Sequence, residues 1–439
     1  MSEAGPLPGP AAPGGASTPV PDPSAPTAAT APPAAPEGRS ASNALVAAGR
    51  GLLVPVLSVV TAFLLGAIVI ILSDQKFVAQ LGSDPLAALR AGLDSVSRAY
   101  SALFTGAIGS PTGYLDAFAS GDTNRILTAF RPISETLLAA TPLIFTGLAV
   151  ALGFQSGLFN IGAEGQLYAG AVLATLVGFS LTGLPGIVHL ALAIGAGFLG
   201  GALWGFIPGI LKARTGAHEV IVTIMLNYIA YRLVDFLLKT PLFQRPGRSD
   251  SISKVIQPSA ELPSIVEGLR VDWGFILALG VAVAVSWLLF RSTKGFEFRA
   301  VGLNPSAARY AGISIGAATV VAMMISGGLA GLAGTVVILG VTQSLTFGIS
   351  PGYGFDGIAL ALMASSKPKG IILAALLFGA LRAGATPMQS ATGIPTDLVV
   401  VIQALVIMFV AAPALVRGIY RIRVSRTTGT EIFSKGWGS

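Results

Sequence analysis

The 439-residue chain has no cysteine, two histidines and few charges: Asp, Glu, Lys and Arg together make up 11% of it. Without cysteine there is no disulfide framework and no thiolate metal site. His189 and His218 alone do not build a histidine-based metal or catalytic cluster. His218-Glu219 opens like a zinc-protease motif, but Val222 stands where the second histidine belongs. No Gly-Lys dipeptide occurs, so the chain lacks a phosphate-binding P-loop and does not bind ATP in that manner. Gly195–Gly200 and Gly352–Gly357 match GxGxxG, but neither follows a strand and opens a soluble helix, as a dinucleotide site requires. A charged fraction far below the roughly 25% of soluble domains excludes a soluble globular protein.

What is present is apolar. Hydrophobic residues make up 53%, with 55 glycines and 28 prolines. A membrane-crossing helix needs about 20 mostly apolar residues. The sequence predicts an all-α membrane protein with about ten transmembrane helices, near 52–72, 133–153, 167–182, 187–211, 218–238, 273–290, 314–341, 354–365, 371–386 and 397–415. The pieces at 167–182 and 354–365 are short and read as broken or re-entrant. Residues 1–45 read as a disordered Pro/Ala-rich cytoplasmic tail, 46–422 as the membrane domain, and 423–439 as a cytoplasmic C-terminal tail.

Basic residues set the orientation. With both termini inside, Arg39 and Arg50, Lys212 and Arg214, Arg291, Lys294, Arg299 and Arg309, and Lys367 and Lys369 all fall on the cytoplasmic side. Residues 73–132 and 239–272 read as long outer loops of balanced charge. The net charge of +7 is thereby explained without a nucleic-acid partner. Gly197, Gly201, Gly205 and Gly209 recur every fourth residue, a flat helix face for close packing, and Gly327, Gly331 and Gly334 suggest a second one. Arg232 and Asp235 are spaced to pair on one helix, and Arg382 to snorkel outward.

Three motifs interrupt this background. In Gly157–Gln166 (GLFNIGAEGQ) polar residues and glycines break an apolar run. Irregular backbone at membrane depth is tolerated where it is buried in protein or lines a cavity. One reading is a discontinuous helix lining a translocation path, with Asn160 as a cap, Glu164 and Gln166 as hydrogen-bonding groups, and Phe159 and Tyr168 as aromatic surface. The other is a structural polar network or an interfacial turn. Ser350–Gly357 (SPGYGFDG) reads as its counterpart in the second half, with Tyr353, Phe355 and Asp356 on the path. The third motif lies in a cytoplasmic loop. Asn304 is a good N-cap, Pro305 suits the first helical position and Gly312 a C-terminal stop. The resulting helix of about two turns is too short to stand alone and reads as a docking element.

The strings 157–166, 215–229 (TGAHEVIVTIMLNYI), 295–313 (GFEFRAVGLNPSAARYAGI), 326–334 (SGGLAGLAG) and 354–379 resemble permease subunits of bacterial ABC importers. The similarity is to the simple-sugar/nucleoside branch, related to the ribose and branched-chain amino-acid permeases, and spans roughly residues 50–420. It implies the ABC importer permease fold, a location in the bacterial cytoplasmic (inner) membrane, and no catalytic or metal site on this chain. It also implies three partners: a second permease subunit, a cytoplasmic ABC ATPase carrying the ATP and Mg, and an extracytoplasmic substrate-binding protein. The family's coupling helix carries over onto Asn304, Pro305, Ala307, Ala308, Arg309 and Gly312, with Arg299 ahead of it. Nucleosides or related simple sugars are the implied substrates. An ion-coupled secondary transporter using Glu164, Asp356 and Asp397, and a permease for branched-chain amino acids, stay open as alternatives.

Overall fold

The structure is a computed structural model that describes residues 41–421. Of the expected tails at 1–45 and 423–439, residues 41–45 instead begin the first helix, and the rest lies outside the described residues. The chain divides after Gly51, and the unit from Leu52 onward carries the membrane-crossing helices. Among the described residues the architecture is helical, and β-pairing is confined to three isolated bridges in the outer loops.

The helices are α1 (Ala41–Ser73), α2 (Gln75–Gln80), α3 (Pro85–Ile108), α4 (Pro111–Ser120), α5 (Thr123–Gln155), α6 (Ala163–Ser180), α7 (Gly186–Thr215) and α8 (Glu219–Leu238). They continue as α9 (Trp273–Arg291), α10 (Thr293–Leu303), α11 (Pro305–Tyr310), α12 (Ile315–Val336), α13 (Tyr353–Met363), α14 (Pro368–Thr392), α15 (Asp397–Ala411) and α16 (Pro413–Ile419). A π-helical turn, Val337–Thr342, extends α12. Local chemistry sets these boundaries. Asp84, Asp122, Asp272 and Ser314 accept backbone N–H groups at the starts of α3, α5, α9 and α12. Left-handed Gly216 and Gly393 end α7 and α14.

Each expected apolar stretch falls on a helix. Among the described residues seven helices are long and apolar enough to cross a membrane, and α15 with α16, bent by 89°, makes an eighth if the pair is one span. The short elements α6 and α13 account for the remaining difference from ten. The region 73–132 differs more. Expected as an outer loop, it folds into α2, α3, α4 and the first turns of α5. Helix α3 buries Ala88, Gly92, Ser95, Ala99, Leu103 and Ala107 along one face. The Tyr100 hydroxyl donates to the Phe63 carbonyl at 2.5 Å, and Thr136 Oγ1 on α5 to the Ala107 carbonyl at 2.7 Å.

Helices α5 and α12 are the most buried spans. Helix α7 lies on α12 backbone to backbone: a Cβ at Gly201 would stand 2.1 Å from the Gly327 carbonyl oxygen, and one at Gly205 2.4 Å from that of Met323. Lipid gives helices no hydrophobic reason to associate, so this close approach supplies the contact. Two expected side-chain placements are corrected. Asp235 pairs with Lys239 at 2.8 Å rather than with Arg232, because i,i+4 directs both side chains to the outer end of α8. Arg382 does not snorkel; it turns inward to Asp356.

Candidate functional site: a charged cavity at a double helix break

Helix α5 stops at Gln155, and Gly157, at φ +69°, turns the chain back on itself. The Leu158 N–H donates to the Gly153 carbonyl at 2.9 Å, and the Phe159 ring lies 5.0 Å from that of Phe154. Buried side chains then hold the return segment. Asn160 Nδ2 donates to Gln166 Oε1 and to Ser326 Oγ, both at 2.8 Å, while Asn160 Oδ1 accepts from Gly162 N–H at 2.9 Å. Asn227 on α8 completes the clamp: its Oδ1 accepts from Gly165 N–H at 2.8 Å and its Nδ2 donates to the Ile161 carbonyl at 3.0 Å. The backbone groups freed by the break are thus satisfied inside the protein.

Helix α6 begins against the beginning of α13. A Cβ at Gly354 would lie 2.2 Å from the Glu164 nitrogen, so only glycine admits the contact. Glu164, 1% exposed, accepts from Gly354 N–H at 2.6 Å and also engages the side chains of Ser350 and Tyr231. Two helix N-termini each carry about half a positive charge, and the carboxylate between them offsets both. On the other side of the α13 start, Asp356 pairs with Arg382, whose guanidinium sits 4.7 Å over the Tyr353 ring.

These groups open on a cavity of about 990 Å³. Its wall includes Arg131, Glu135, Arg270, Asp272, Tyr353, Asp356 and Arg382, with Gln403 from α15. Charges on that scale are costly against lipid and mark a water-accessible space. The outer loop forms one wall because Ser134 Oγ accepts from both Arg270 and Val271 N–H, at 2.9 and 2.8 Å, and Arg270 bridges to Glu135 at 3.1 Å. Asp272 is buried. Its Oδ1 accepts from Gly274 N–H at 2.8 Å, while Oδ2 has no hydrogen-bond partner. Burial pushes its carboxyl up to about 6, against the pull of the Gly274 N–H.

The residues expected on a path are therefore distributed. Tyr353 and Asp356 line the cavity, with Glu164 beside them. Tyr168 donates through its hydroxyl to the Phe347 carbonyl at 2.9 Å and packs edge-on against Tyr231. Asn160 and Gln166 lie in the closed network, and Phe355 is exposed on the outer face of α13. Sequence reasoning did not single out Arg131, Glu135, Arg270, Asp272 or Tyr231. The signal for the first four was their charge at or next to apolar spans. No group of three His, Cys, Asp or Glu able to hold a metal occurs among the described residues.

On the opposite side of the break lies the capped element at α10 and α11. Asn304 Oδ1 accepts from Ala307 N–H at 3.0 Å, and Gly312 at φ +80° ends the turn. Helix α11 is only six residues, preceded by α10, and Arg299 sits 5.5 Å from the Phe290 ring. Ala307, Arg309 and Tyr310 face outward, Tyr310 at 95% exposure. Ala308, expected on the docking face, is instead buried at 3%, because Ile313 N–H folds back onto its carbonyl and turns it into the protein. Gly302 on α10 meets the break directly: a Cβ there would lie 2.6 Å from the Gln155 carbonyl oxygen and 2.7 Å from the Gly157 nitrogen.

A family model described as branched-chain amino acid transport system / permease component matches residues 133–411. The chain is 38% identical over 368 residues to the guanosine ABC transporter permease protein NupP of Bacillus subtilis (strain 168), covering 83% of this chain and 94% of that one. It is 35% identical over 376 residues to the nucleoside ABC transporter permease protein NupB of Lactococcus lactis, covering 84% and 92%. The glucose ABC transporter permease protein TsgB13 of Haloferax volcanii is 35% identical over 293 residues, covering 64% and 77%. No solved structure matches.

Proposed function

This chain belongs to the branched-chain amino acid transport system permease family, and from that premise we propose that it is the membrane-spanning permease of an importer for nucleosides or related simple sugars. Separate cytoplasmic ATPase subunits power it, and it works beside a second permease in the cytoplasmic membrane with both termini inside. An extracytoplasmic binding protein delivers the solute. The observation that carries the reading is the charged cavity at the double helix break. There the starts of α6 and α13, held together by Glu164, leave polar groups at membrane depth beside the Asp356–Arg382 pair. The guanosine and nucleoside permeases among its relatives support nucleosides; the glucose permease keeps sugars in view. Outward Tyr310 and Leu303, at 95% and 77% exposure, support an ATPase docking surface at α10–α11.

The test is reconstitution of the chain with its neighbouring permease, ATPase and binding protein in vesicles. Labelled guanosine and glucose are offered with and without ATP. ATP-dependent accumulation of guanosine, absent when the ATPase is omitted, is the expected result. Accumulation by this chain alone under an ion gradient refutes it.

A further inference from the structure

We propose that the face of α8 carrying Tyr228, Tyr231 and Arg232, together with Phe347, is a stacking site for a planar heteroaromatic ring, the base of a transported nucleoside. The proposal rests on the transport reading above and names the part of the solute that this face recognises. Four observations meet there. The rings form a continuous series: Tyr168 to Tyr231 at 5.1 Å and Tyr231 to Tyr228 at 6.4 Å edge-to-face, and Tyr231 to Phe347 at 6.3 Å tilted. Tyr228 and Phe347 are exposed, at 62% and 49%, so one side of the series is uncovered by this chain. Tyr231 packs on Tyr168 of α6, the helix whose first turn carries Glu164, which makes the face continuous with the helix-break site. Arg232, one turn beyond Tyr228, is exposed on an apolar span and makes no ion pair among the described residues, since Asp235 is taken by Lys239.

Lipid does not suit such a face. An arginine within a span is costly against lipid, and tyrosine hydroxyls lose their hydrogen bonds in hydrocarbon. A planar ring with N–H and C=O edges does suit it. Aromatic side chains stack on a base whatever its identity, and a guanidinium donates to ring carbonyl or nitrogen acceptors. A hexose can lay only its C–H face on these rings, whereas a base adds a π-face and ring acceptors for the guanidinium, so this face favours nucleosides over hexoses.

The experiment uses the full complex in nanodiscs with the photoreactive probe 8-azidoguanosine, alongside guanosine uptake in vesicles. The expected result is label on α8 or on residues 343–352, with Tyr231→Leu and Tyr228→Leu each lowering guanosine uptake about tenfold and Tyr231→Phe restoring most of it. Thermal stability of each variant in detergent separates a lost contact from a lost fold. Label confined to other segments, with Tyr228→Leu and Tyr231→Leu transporting at the wild-type rate, overturns the assignment and leaves the face to lipid or the second permease. Failure of the unaltered complex to take up guanosine while it takes up glucose overturns the nucleoside reading itself, a different outcome.

Discussion

Gly302→Ala tests whether α10 and α11 act on the helix break through backbone contact. The new methyl would stand 2.6 Å from the Gln155 carbonyl oxygen, 2.7 Å from the Gly157 nitrogen and 2.8 Å from the Ser156 carbonyl carbon. Ordinary contact begins near 3.4 Å, and all three neighbours are backbone, so no side chain can swing aside. Helix α10 must withdraw by several tenths of an ångström. Overpacking of this kind costs about 1–3 kcal/mol. Alanine recovers about 0.8–1 kcal/mol over glycine inside a helix. The net loss is therefore about 0–2 kcal/mol, a factor of up to roughly 30 in an equilibrium. Gly280→Ala on α9 is the control, because a Cβ there meets nothing within 4 Å. The assay is ATP hydrolysed per molecule of solute imported by the reconstituted complex, with melting temperature measured beside it. Gly302→Ala is expected to lower the melting temperature by a few degrees and to raise the ATP consumed per solute several-fold. The same stoichiometry and melting temperature as Gly280→Ala would refute the reasoning, since the two backbones would then not be in contact in the working protein.

Three further outcomes follow from the geometry. Asp356→Asn or Arg382→Gln alone leaves a half-buried charge unpaired, which costs about 3–5 kcal/mol in a buried pair and less here because each side chain keeps some exposure; the double variant should melt above either single one, and equal melting of all three would remove the pair from the account. Tyr310→Asp should leave melting unchanged and abolish co-purification with the ATPase, and retained co-purification would move the docking surface elsewhere. Asp272 has its folded-state pKa raised from 3.8 to about 6, so the folded state holds its proton longer than the unfolded chain and stability falls as pH rises between those values. The shift corresponds to about 3 kcal/mol above pH 6. Asp272→Asn, which can still cap α9, should therefore raise the melting temperature at pH 7.5 and leave it unchanged near pH 4; a gain of equal size at both pH values would show that the carboxylate's charge is not the cause.

What could be read in the sequence was whatever local pattern decides. Apolar windows located the crossing helices, and Asn304-Pro305 followed by Gly312 located the cytoplasmic turn, because caps and hydropathy act over a few residues. Helix α3 escaped because Arg90, Asp94 and Arg98 dilute its hydropathy, although its buried face repeats every three to four residues. The inward turn of Ala308 escaped because six helical residues carry too little periodicity to assign a face. The inward turn of Arg382 depended on a partner 26 residues away, across the α13–α14 connection. Polarity at Asn160, Gln166 and Tyr353 marked the breaks. It did not distinguish a side chain facing the closed network from one facing the cavity, since both environments demand the same hydrogen bonds.

The acids themselves argue against an ion-coupled mechanism. A carrier of protons or cations needs a carboxylate that is accessible and uncommitted in one state. Glu164 is 1% exposed and accepts from Gly354 N–H while it offsets two helix N-termini. Asp356 is held by Arg382, so a cation would have to displace a guanidinium that also stacks on Tyr353. Asp397 is exposed at the first turn of α15, outside the break. Of the three acids weighed as ion carriers, Glu164 and Asp356 each balance a structural charge or dipole and Asp397 lies away from the break, so the one uncommitted acid on the cavity wall is Asp272, whose Oδ2 has no hydrogen-bond partner. Gly302 of α10 touches the loop that leads to Glu164, so a force applied to α10 and α11 would reach the break through backbone contact. Uptake should accordingly be insensitive to protonophores while ATP is held constant. Collapse of uptake on adding a protonophore at fixed ATP would return Glu164 and Asp356 to the role of ion carriers.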